Sequence, residues 1–332
     1  MSVDLYVIGN ALVDLEYSVD DQFLQQHQLQ KGTMQLAEQA TQQLLLKSLS
    51  SHHAQEQASG GSAANSTVAY TSMGGNAFYA CRVGNDDFGQ FYLNGLSAAN
   101  VQTSTSSSSD GETGTCVVLV TPDGERTMQT FLGITAELSE QQVDFEPLKT
   151  AKYLYIEGYL ATSPTARQAV KQAREIAKAN GIQIAITLSD PAMVQYARDG
   201  LNALIDDGVD VLFCNEHEAR MYTETEQLED TLAALLKLSK TVIITRSADG
   251  AIIATQTGEK IQVEAVPCHA IDTLGAGDAF AGAYLYGMSK GFDLTACGKL
   301  AAATASKVVS QYGPRLTVAD YQAILQHYQP TV

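Results

Sequence analysis

The chain has 332 residues, of which 45% are hydrophobic and 17% are charged, so it can form one large domain or two ordinary ones around a sizeable core. Its 37 acidic residues outnumber its 20 basic residues and give a formal net charge of −17, which disfavours nucleic-acid binding. The sequence shows neither an apolar run near the roughly 20 residues of a membrane span nor the pattern of a secretory signal. The five cysteines lie far apart without zinc-site spacing, which is typical of a reduced cytoplasmic protein without structural metal.

The first half of the chain contains predicted elements of mixed character. An apolar run over residues 5–9 predicts a buried strand that ends in Gly-Asn. Small residues over 62–73 predict a helix, and residues 77–83 predict a strand. Residues 12–17 alternate imperfectly between apolar and polar, and within residues 113–132 the runs TCVVLV and RTMQTF flank the turn PDGE as in a β-hairpin. We expect the last two stretches to form a small antiparallel layer that protrudes from the rest.

The second half alternates regularly between strands and helices. Apolar residues at 166, 169, 170, 173, 176 and 177 form one helical stripe, which Asn180 and Gly181 end. The other predicted strands cover residues 153–157, 182–188, 209–214, 241–245 and 251–254, and the other predicted helices cover 228–238, 276–288, 294–310 and 318–326. Apolar strands joined by helices predict a mostly parallel, doubly wound sheet.

The predicted organisation is one α/β body with a small lid. The body takes approximately residues 1–11, 37–112 and 135–332, and the small β lid takes approximately residues 12–36 and 113–134. No internal repeat and no proline-rich linker divides the chain further.

The most informative motif is Asp272-Thr-Leu-Gly-Ala-Gly-Asp278, which opens a predicted helix. Gly275, Ala276 and Gly277 leave the first N–H groups of this helix uncovered, and such a helix N-terminus binds anions, typically phosphate. Asp278 would repel a phosphate, but a carboxylate there can orient an attacking hydroxyl group and accept its proton. The alternative is a carboxylate that only complements the helix dipole, and the regular α/β context favours the first interpretation.

Two segments in the first half carry groups that can hold substrate hydroxyls. Gly60 and Gly61 precede a predicted helix and allow close approach of the backbone, while Asn65 offers an amide. Asn10 and Asp14 follow the first strand, and a carboxylate can accept hydrogen bonds from two hydroxyls. The alternatives are a turn with a capped helix for the first segment and a solvated carboxylate for the second.

Two further segments suit phosphate chemistry. Asn215 and Glu218 follow the strand predicted over residues 209–214 and offer the oxygen ligands that Mg²⁺ takes directly or through water, although a polar helix start is an equal alternative. Arg126 in the predicted hairpin can swing over a transferring phosphoryl group as a fixed cation, or can simply be solvated. Neither a GxxxxGK[ST] P-loop nor a GxGxxG after the first strand is present.

The motifs DTLGAGDAF, GGSAAN, GNALVD and the mid-chain NxxE resemble, in order and spacing, those of the ribokinase-like (PfkB) carbohydrate kinase family. The resemblance implies a three-layer α/β/α sandwich, a β lid over the sugar and ATP-dependent phosphorylation of a hydroxymethyl group. It also implies that Asp278 is the catalytic base, that residues 275–277 form the anion hole, and that Asn215 and Glu218 belong to the Mg²⁺/phosphate motif.

The resemblance extends to nucleotide and cation sites. The nucleotide-binding turn of the family is matched by TRSADG, which includes Thr245, Ser247 and Gly250. Serine stands at position 247 where many members have glycine. Some members hold a monovalent cation, usually K⁺, at the positions of Asp272, Ser310 and Gly313.

Within the family, GNALVDLEY, QKGTMQLAE and ERTMQTFLG most resemble the adenosine kinase branch. This implies that Asn10 and Asp14 engage a ribose and that Arg126 contacts a phosphate. Phe131 and Tyr159 are candidates for contacts with a base, with lid packing as the alternative for Phe131.

We therefore expect a kinase that phosphorylates the 5′-hydroxyl of a ribonucleoside such as adenosine, with ATP and Mg²⁺. The alternatives are a kinase of a free sugar (ribose, fructose or a keto-deoxy sugar acid) and an inactive ligand-sensing protein on the same fold. A monomer and a homodimer through the lid are both compatible with the sequence.

Overall fold

A mostly parallel sheet runs through the chain in the computed structural model, which describes residues 3–51 and 54–328. The strands are β1 (Leu5–Ile8), β2 (Leu12–Ser18), β3 (Met34–Leu36), β4 (Ala54–Gly60), β5 (Ala77–Ala80), β6 (Val83–Gly84), β7 (Val101–Gln102), β8 (Ser108–Ser109), β9 (Gly114–Val120), β10 (Arg126–Phe131), β11 (Tyr153–Ile156), β12 (Gln183–Thr187), β13 (Val209–Asn215), β14 (Ser239–Thr245), β15 (Ala251–Thr255) and β16 (Lys260–Val263). The α-helices are α1 (Asp21–Gln26), α2 (Gln39–Ser48), α3 (Ser62–Ser72), α4 (Asp87–Ala98), α5 (Pro164–Ala179), α6 (Pro191–Tyr196), α7 (Arg198–Ile205), α8 (Glu216–Thr223), α9 (Leu228–Leu235), α10 (Ala276–Ser289), α11 (Leu294–Val309) and α12 (Val318–Tyr328).

The nine strands of the central sheet follow the order β16-β15-β14-β13-β12-β11-β1-β5-β7. The pairs β14–β15 and β15–β16 are antiparallel, and the other pairs are parallel. Alternate residues of β1 enter two different cores, because successive side chains of a strand point to opposite faces. Leu5 and Val7 pack with α3, α10 and α11, whereas Tyr6 and Ile8 pack with α5 and α7. The predicted three-layer α/β/α sandwich with a mostly parallel sheet is confirmed.

Helix α5 shows how the local sequence sets the bounds of an element. Ser163 caps its first turn by accepting a hydrogen bond from the N–H of Ala166 at 3.2 Å, and Pro164 occupies the first helical position. The predicted apolar stripe is buried except for Ile176, which is half-buried, and the helix ends at Asn180 before Gly181, whose φ of +70° suits glycine. No helix in the described part of the chain is long and apolar enough to span a bilayer.

A second, five-stranded sheet forms the lid, in the order β3-β10-β9-β2-β4. The pairs β2–β9 and β3–β10 are parallel, so this sheet is mixed, and the expected antiparallel layer is wrong. Strand β4 also corrects the predicted division, because it pairs with β2 although we assigned residues 37–112 to the body. Helix α2 packs on the lid as well, where Gln42 donates hydrogen bonds to two backbone carbonyls at 3.0 Å each. The lid therefore includes most of residues 37–60.

Candidate active site

Several of the predicted site residues lie at one edge of the central sheet. Parallel strands bring their carboxyl ends to the same edge, which is where ligands bind in such sheets. Asn10 follows β1, Glu157 follows β11, and Asn215 and Thr245 are paired neighbours at the ends of β13 and β14. The N-termini of α3 and α10 meet at the same edge, since Ser62 in the first turn of α3 contacts Asp278 in the first turn of α10.

Asp278 is held by two donors from α3. The hydroxyl of Ser62 donates to Oδ1 at 2.6 Å, and the amide of Asn65 donates to Oδ2 at 3.0 Å. Burial raises the pKa of Asp278 above its usual value, while these two hydrogen bonds act in the opposite direction. A carboxylate with a raised pKa in a fixed orientation is suited to accept a proton.

The N-terminus of α10 leaves backbone donors uncovered. No side chain caps it, and in the described part of the chain the N–H groups of Gly277 and Asp278 have no acceptor. Gly275 has a φ of +74°, and a Cβ at this position would lie 2.4 Å from the Cβ of Pro314, so only glycine fits. Free N–H groups at the positive end of a helix dipole can bind an anion. The free donors are those of Gly277 and Asp278, whereas the N–H of Ala276 donates to the carbonyl of Thr273 at 3.3 Å, so the anion site predicted at residues 275–277 stays a prediction and is displaced by one residue.

Asp14 faces this site from the lid strand β2. It is half-buried and accepts no hydrogen bond from the described residues. A Cβ on Gly60 would lie 2.1 Å from Oδ2 of Asp14, so glycine is required for this approach. Burial raises the pKa of Asp14 to about 7, and the nearby Asp278 raises it further while Arg315 opposes the shift. Asp14 is thus a carboxylate beside Asp278 with both oxygens available for hydroxyl donors.

The amides of Asn10 and Asn65 are used differently from our expectation. Asn10 donates to Glu157 through its N–H at 3.0 Å and through its side chain at 3.4 Å, and its Oδ1 accepts from Thr135 at 3.4 Å. The amide of Asn65 faces Asp278. Instead of pointing at substrate hydroxyls, both amides hold carboxylates, because a carboxylate is the strongest local acceptor.

Ser62, Glu157 and Arg315 are site residues that sequence reasoning did not single out. Glu157 is 1% exposed, and burial raises its pKa to about 8 despite the hydrogen bonds from Asn10. In the sequence, Glu157 could have been recognised as a candidate because it is a charged residue directly after the apolar strand β11. Gly9 allows its approach, since a Cβ there would lie 2.4 Å from Oε2 of Glu157. No pattern in the sequence around Arg315 indicates that it belongs to the site.

Asn215 and Glu218 form a reciprocal capping box at the start of α8. Oδ1 of Asn215 accepts from the N–H of Glu218 at 2.8 Å, while Glu218 accepts from the N–H of Asn215 at 3.0 Å and from its side chain at 2.6 Å. Burial raises the pKa of Glu218 to about 7. Within the described residues, no group of three or more His, Cys, Asp or Glu side chains is arranged to hold a metal. The carboxylate retains acceptor capacity for water, so the pair fits a Mg²⁺ ion that keeps its waters.

The segment that resembles a nucleotide-binding turn joins β14 to β15. Ser247 has a φ of +50°, a conformation that glycine adopts without strain, which explains why glycine suits this position. A Cβ on Gly250 would lie 2.0 Å from the carbonyl oxygen of Val263. Thr245 donates a long hydrogen bond of 3.5 Å to the carbonyl of Cys214. The turn therefore lies beside Asn215 with its backbone close to the neighbouring strand.

Arg126 does not lie free over the anion site. Its Nε and Nη2 donate to Oδ1 and Oδ2 of Asp272 at 2.8 and 2.5 Å, and its Nη1 donates to Glu16 at 2.7 Å. Arg126 is 8% exposed and bound to two carboxylates, so in this structure it is neither solvated nor free to swing over a phosphoryl group. The guanidinium instead joins the lid to the loop before α10.

The same contacts leave no room for K⁺ at Asp272. Besides Arg126, Oδ1 accepts from the N–H of Leu274 at 3.0 Å and Oδ2 from the N–H of Gly313 at 2.8 Å, so each oxygen has two donors. The hydroxyl of Ser310, the residue after α11, donates to the carbonyl of Lys307 in the last turn of that helix. Asp272, Ser310 and Gly313 are close together as expected, but the donor set does not fit a monovalent cation, because the charge of Asp272 is already balanced by a guanidinium.

The two aromatic candidates differ. Asp14 and Thr130 both pair with Cys116 in the lid sheet, so these residues share one face. Phe131 follows Thr130 in the same strand, and successive side chains of a strand point to opposite faces, so Phe131 projects from the face opposite to Asp14. Its expected contact with a base is therefore not supported. Tyr159 lies in a short 3₁₀ helix (Gly158–Thr162) after β11, and burial raises its pKa well above 10, as do the nearby carboxylates of Asp190 and Asp278. Because Tyr159 follows Glu157 by two residues, it lies near the carboxyl end of β11, and its contact with a base stays a prediction.

These features define a phosphotransferase with an alcohol group as acceptor: an anion site at a helix N-terminus, a carboxylate beside it and a β lid over both. The chain belongs to the pfkB family of carbohydrate kinases, since the family described as "pfkB family carbohydrate kinase" matches residues 33–320. Its relatives place it in the adenosine-kinase-like branch.

Three similar proteins illustrate this relationship. Adenosine kinase from Saccharomyces cerevisiae is 27% identical over 334 residues, which cover 95% of this chain and 97% of the yeast protein. The crystal structure of adenosine kinase from Sinorhizobium meliloti matches with a TM-score of 0.91 and 35% identity, over 98% of this chain and 100% of the other. A probable sugar kinase from Rhizobium etli CFN 42 also matches with a TM-score of 0.91, at 33% identity over 98% and 99% of the two chains.

Proposed function

We propose that this protein transfers the γ-phosphoryl group of ATP to the 5′-hydroxyl of a ribonucleoside, with adenosine as the first acceptor to test. The similarity to adenosine kinases over nearly the whole chain supports the nucleoside. The observation that carries the proposal is the position of Asp14. This lid carboxylate accepts no hydrogen bond from the described residues and lies against Gly60, just before α3, whose first turn holds Asp278. A ribose that donates its vicinal hydroxyls to Asp14 brings its 5′-hydroxyl toward Asp278.

In the proposed reaction, Asp278 orients the acceptor hydroxyl and takes its proton as the oxygen attacks the γ-phosphorus. The new O–P bond forms while the bond from the γ-phosphorus to the bridging oxygen breaks, and ADP leaves. Ser62 and Asn65 keep the Asp278 carboxylate in one orientation. The free N–H groups of Gly277 and Asp278 stabilise the charge on the transferring group.

The nucleotide side of the site is formed by the ends of β13 and β14. We assign Asn215 and Glu218 to the waters of a Mg²⁺ ion, which neutralises phosphate charge when it is bound. Thr245, Ser247 and Gly250 line the neighbouring turn, where the backbone can contact the nucleotide. The net charge of −17 does not prevent ATP binding, because exposed charges beyond roughly 8 Å are largely screened at physiological salt.

A free sugar is the second candidate acceptor, favoured by the similarity to the probable sugar kinase. The test is release of ADP from Mg-ATP with adenosine, inosine, guanosine, ribose, fructose and a keto-deoxy sugar acid. Turnover with nucleosides alone supports the proposal. Turnover with sugars alone replaces the acceptor but keeps Asp278 and the anion site, and no turnover, with ligand-induced shifts in melting temperature, favours a ligand-sensing protein.

A further inference from the structure

Arg315 is a half-buried arginine in the site to which the proposed reaction gives no role. Its Nε donates to Oδ1 of Asn65 at 2.9 Å, its Nη1 donates to the hydroxyl of Ser59 at 3.0 Å, and its Nη2 donates to the carbonyl of Ser59. Among the described residues, it forms no ion pair with a carboxylate, unlike Arg126. A guanidinium bound to neutral acceptors in a site with several carboxylates indicates a function other than charge pairing.

The contact with Asn65 determines which end of its amide faces Asp278. A guanidinium only donates, so it selects Oδ1 of Asn65, whereas an ionised carboxylate only accepts, so it selects Nδ2. The two partners lie on opposite ends of one amide, at 2.9 Å for Arg315 and 3.0 Å for Asp278. Without Arg315 the amide loses the partner that holds Oδ1 away from Asp278.

Arg315 is itself placed by the segment that supports the anion site. The N–H of Gly313 donates to Asp272, and Pro314 packs against Gly275 in the first turn of α10. Three consecutive residues thus contact the loop before α10, the helix N-terminus and Asn65. The segment connects the two helix N-termini that form the site.

We propose that Arg315 is a positioning residue for phosphoryl transfer, which orients the amide of Asn65 and thereby the carboxylate of Asp278. The inference rests on the proposed function only in that Asp278 accepts the acceptor's proton. The guanidinium also acts at a distance, because its charge lowers the pKa values of Asp278 and Asp14 against the effect of burial. Removal of Arg315 therefore both disorders the carboxylate and makes it harder to ionise.

The first test compares Arg315→Gln with a control of similar size, Arg174→Gln. Arg174 is 2% exposed on α5, away from the site, and binds Asp207 and the carbonyl of Gly208. We expect Arg315→Gln to lower kcat by roughly 10- to 100-fold, the range of one hydrogen bond to a charged group, with a smaller change in the KM for ATP. Arg174→Gln should affect only the melting temperature.

The pH dependence separates positioning from a general loss of structure. The base must be ionised, so kcat falls as the pH drops through its pKa, and a raised pKa moves this acid limb to higher pH. We expect the acid limb to move upward in Arg315→Gln and in Asn65→Ala, and the double variant to be no slower than the worse single variant. An unchanged acid limb in Arg315→Gln, or effects that simply multiply in the double variant, would overturn the proposal.

A measurement independent of turnover completes the test. In protein labelled with ¹³C at the aspartate carboxyls, the Asp278 signal is assigned by its loss in Asp278→Asn and followed against pH. Its midpoint should rise in Arg315→Gln, and an equal midpoint in wild type and variant refutes the role of Arg315. If Arg315→Gln does not fold, the same titration of Asp278 is made in Asn65→Ala, where its midpoint should also rise. A wild type that turns over no acceptor contradicts the proposed function, whereas this titration still decides the role of Arg315.

Discussion

Arg126 of the lid and Asp272 of the body form a two-point ion pair, with Nε–Oδ1 and Nη2–Oδ2 distances of 2.8 and 2.5 Å. Asp272 directly precedes the loop that starts α10, so this pair connects the strand of the lid to the anion site. Glu16, on lid strand β2, which β9 separates from the strand of Arg126, accepts a hydrogen bond from Nη1 of Arg126 at 2.7 Å. The lid is therefore closed onto the body by a buried cation between two carboxylates.

Arg126→Met should destabilise the protein strongly. It leaves Asp272 and Glu16 without their cation, and the loss of one partner of a buried pair costs about 3–5 kcal/mol. The measurement is the free energy of unfolding in urea. Lys31→Met is the control, because Lys31 bridges Asp21 and Asp123 at the surface, where ion pairs contribute little. Equal urea midpoints for the two variants would contradict a buried, stabilising pair.

The turnover number should not depend on K⁺. Asp272 already accepts two hydrogen bonds at each oxygen, and its charge is balanced by Arg126. We expect the same kcat when K⁺ is replaced by tetramethylammonium at constant ionic strength. Activation that saturates with K⁺ would show a cation site that these contacts do not provide.

Asp14→Asn and Gly60→Ala should have the same phenotype. The first removes the charge that receives acceptor hydroxyls, and the second introduces a Cβ 2.1 Å from Oδ2 of Asp14 and displaces it. We expect the KM for the acceptor to rise by roughly 10- to 100-fold, as for a lost hydrogen bond to a charged group. The KM for ATP serves as the internal control and should stay near the wild-type value. If the acceptor KM is unchanged, Asp14 does not bind the acceptor.

Asp278→Asn should separate binding from chemistry. The amide cannot take the proton, so kcat should fall by about 10²–10⁴-fold, the usual contribution of a general base. Acceptor binding, measured by calorimetry, should persist because Asp14 is intact. Asp293→Asn is the matched control at another helix start, where Asp293 caps α11 and asparagine caps as well as aspartate. Near-normal kcat in Asp278→Asn would remove it from the reaction.

The site carboxyls should make the protein less stable as the pH rises from about 4.5 to 8. Burial raises the pKa of Glu157 to about 8 from 4.5, so in this window the folded state binds a proton that the unfolded chain has lost. Stability then falls with rising pH, by linkage, and the loss is complete above pH 8. Asp14 and Glu218, with pKa values of about 7, act in the same direction.

Glu157→Gln should flatten this pH dependence of the melting temperature, because the variant has no proton to lose at this position. Glu175→Gln is the control, since Glu175 is exposed on α5 and should leave the curve unchanged. Parallel curves for wild type and Glu157→Gln would mean that Glu157 is ionised throughout.

The local sequence predicted those elements and motifs that depend on residues close together in the chain. The helical stripe of α5 and strands β11 to β15 were predicted within a few residues, because strands buried on both faces require apolar runs, whereas β16 at the edge of the sheet was not predicted. Strand β4 was missed, since its sequence AQEQASG lacks such a run and the strand is defined by its pairing with β2. Register likewise decided the side of the lid sheet from which Phe131 projects.

The sequence by itself determined the α/β class, the glycine-rich helix start at residues 275–277, and Asp278 and Asp14 as the carboxylates of interest. These rest on periodicity, on the unpaired N–H groups of a helix start and on the chemistry of single residues. Only the tertiary structure decided the partners. Asn65 and Asp278 are 213 residues apart in the chain, and Arg126 and Asp272 are 146 apart. Which donor meets which acceptor over such distances depends on how the helices and the lid pack.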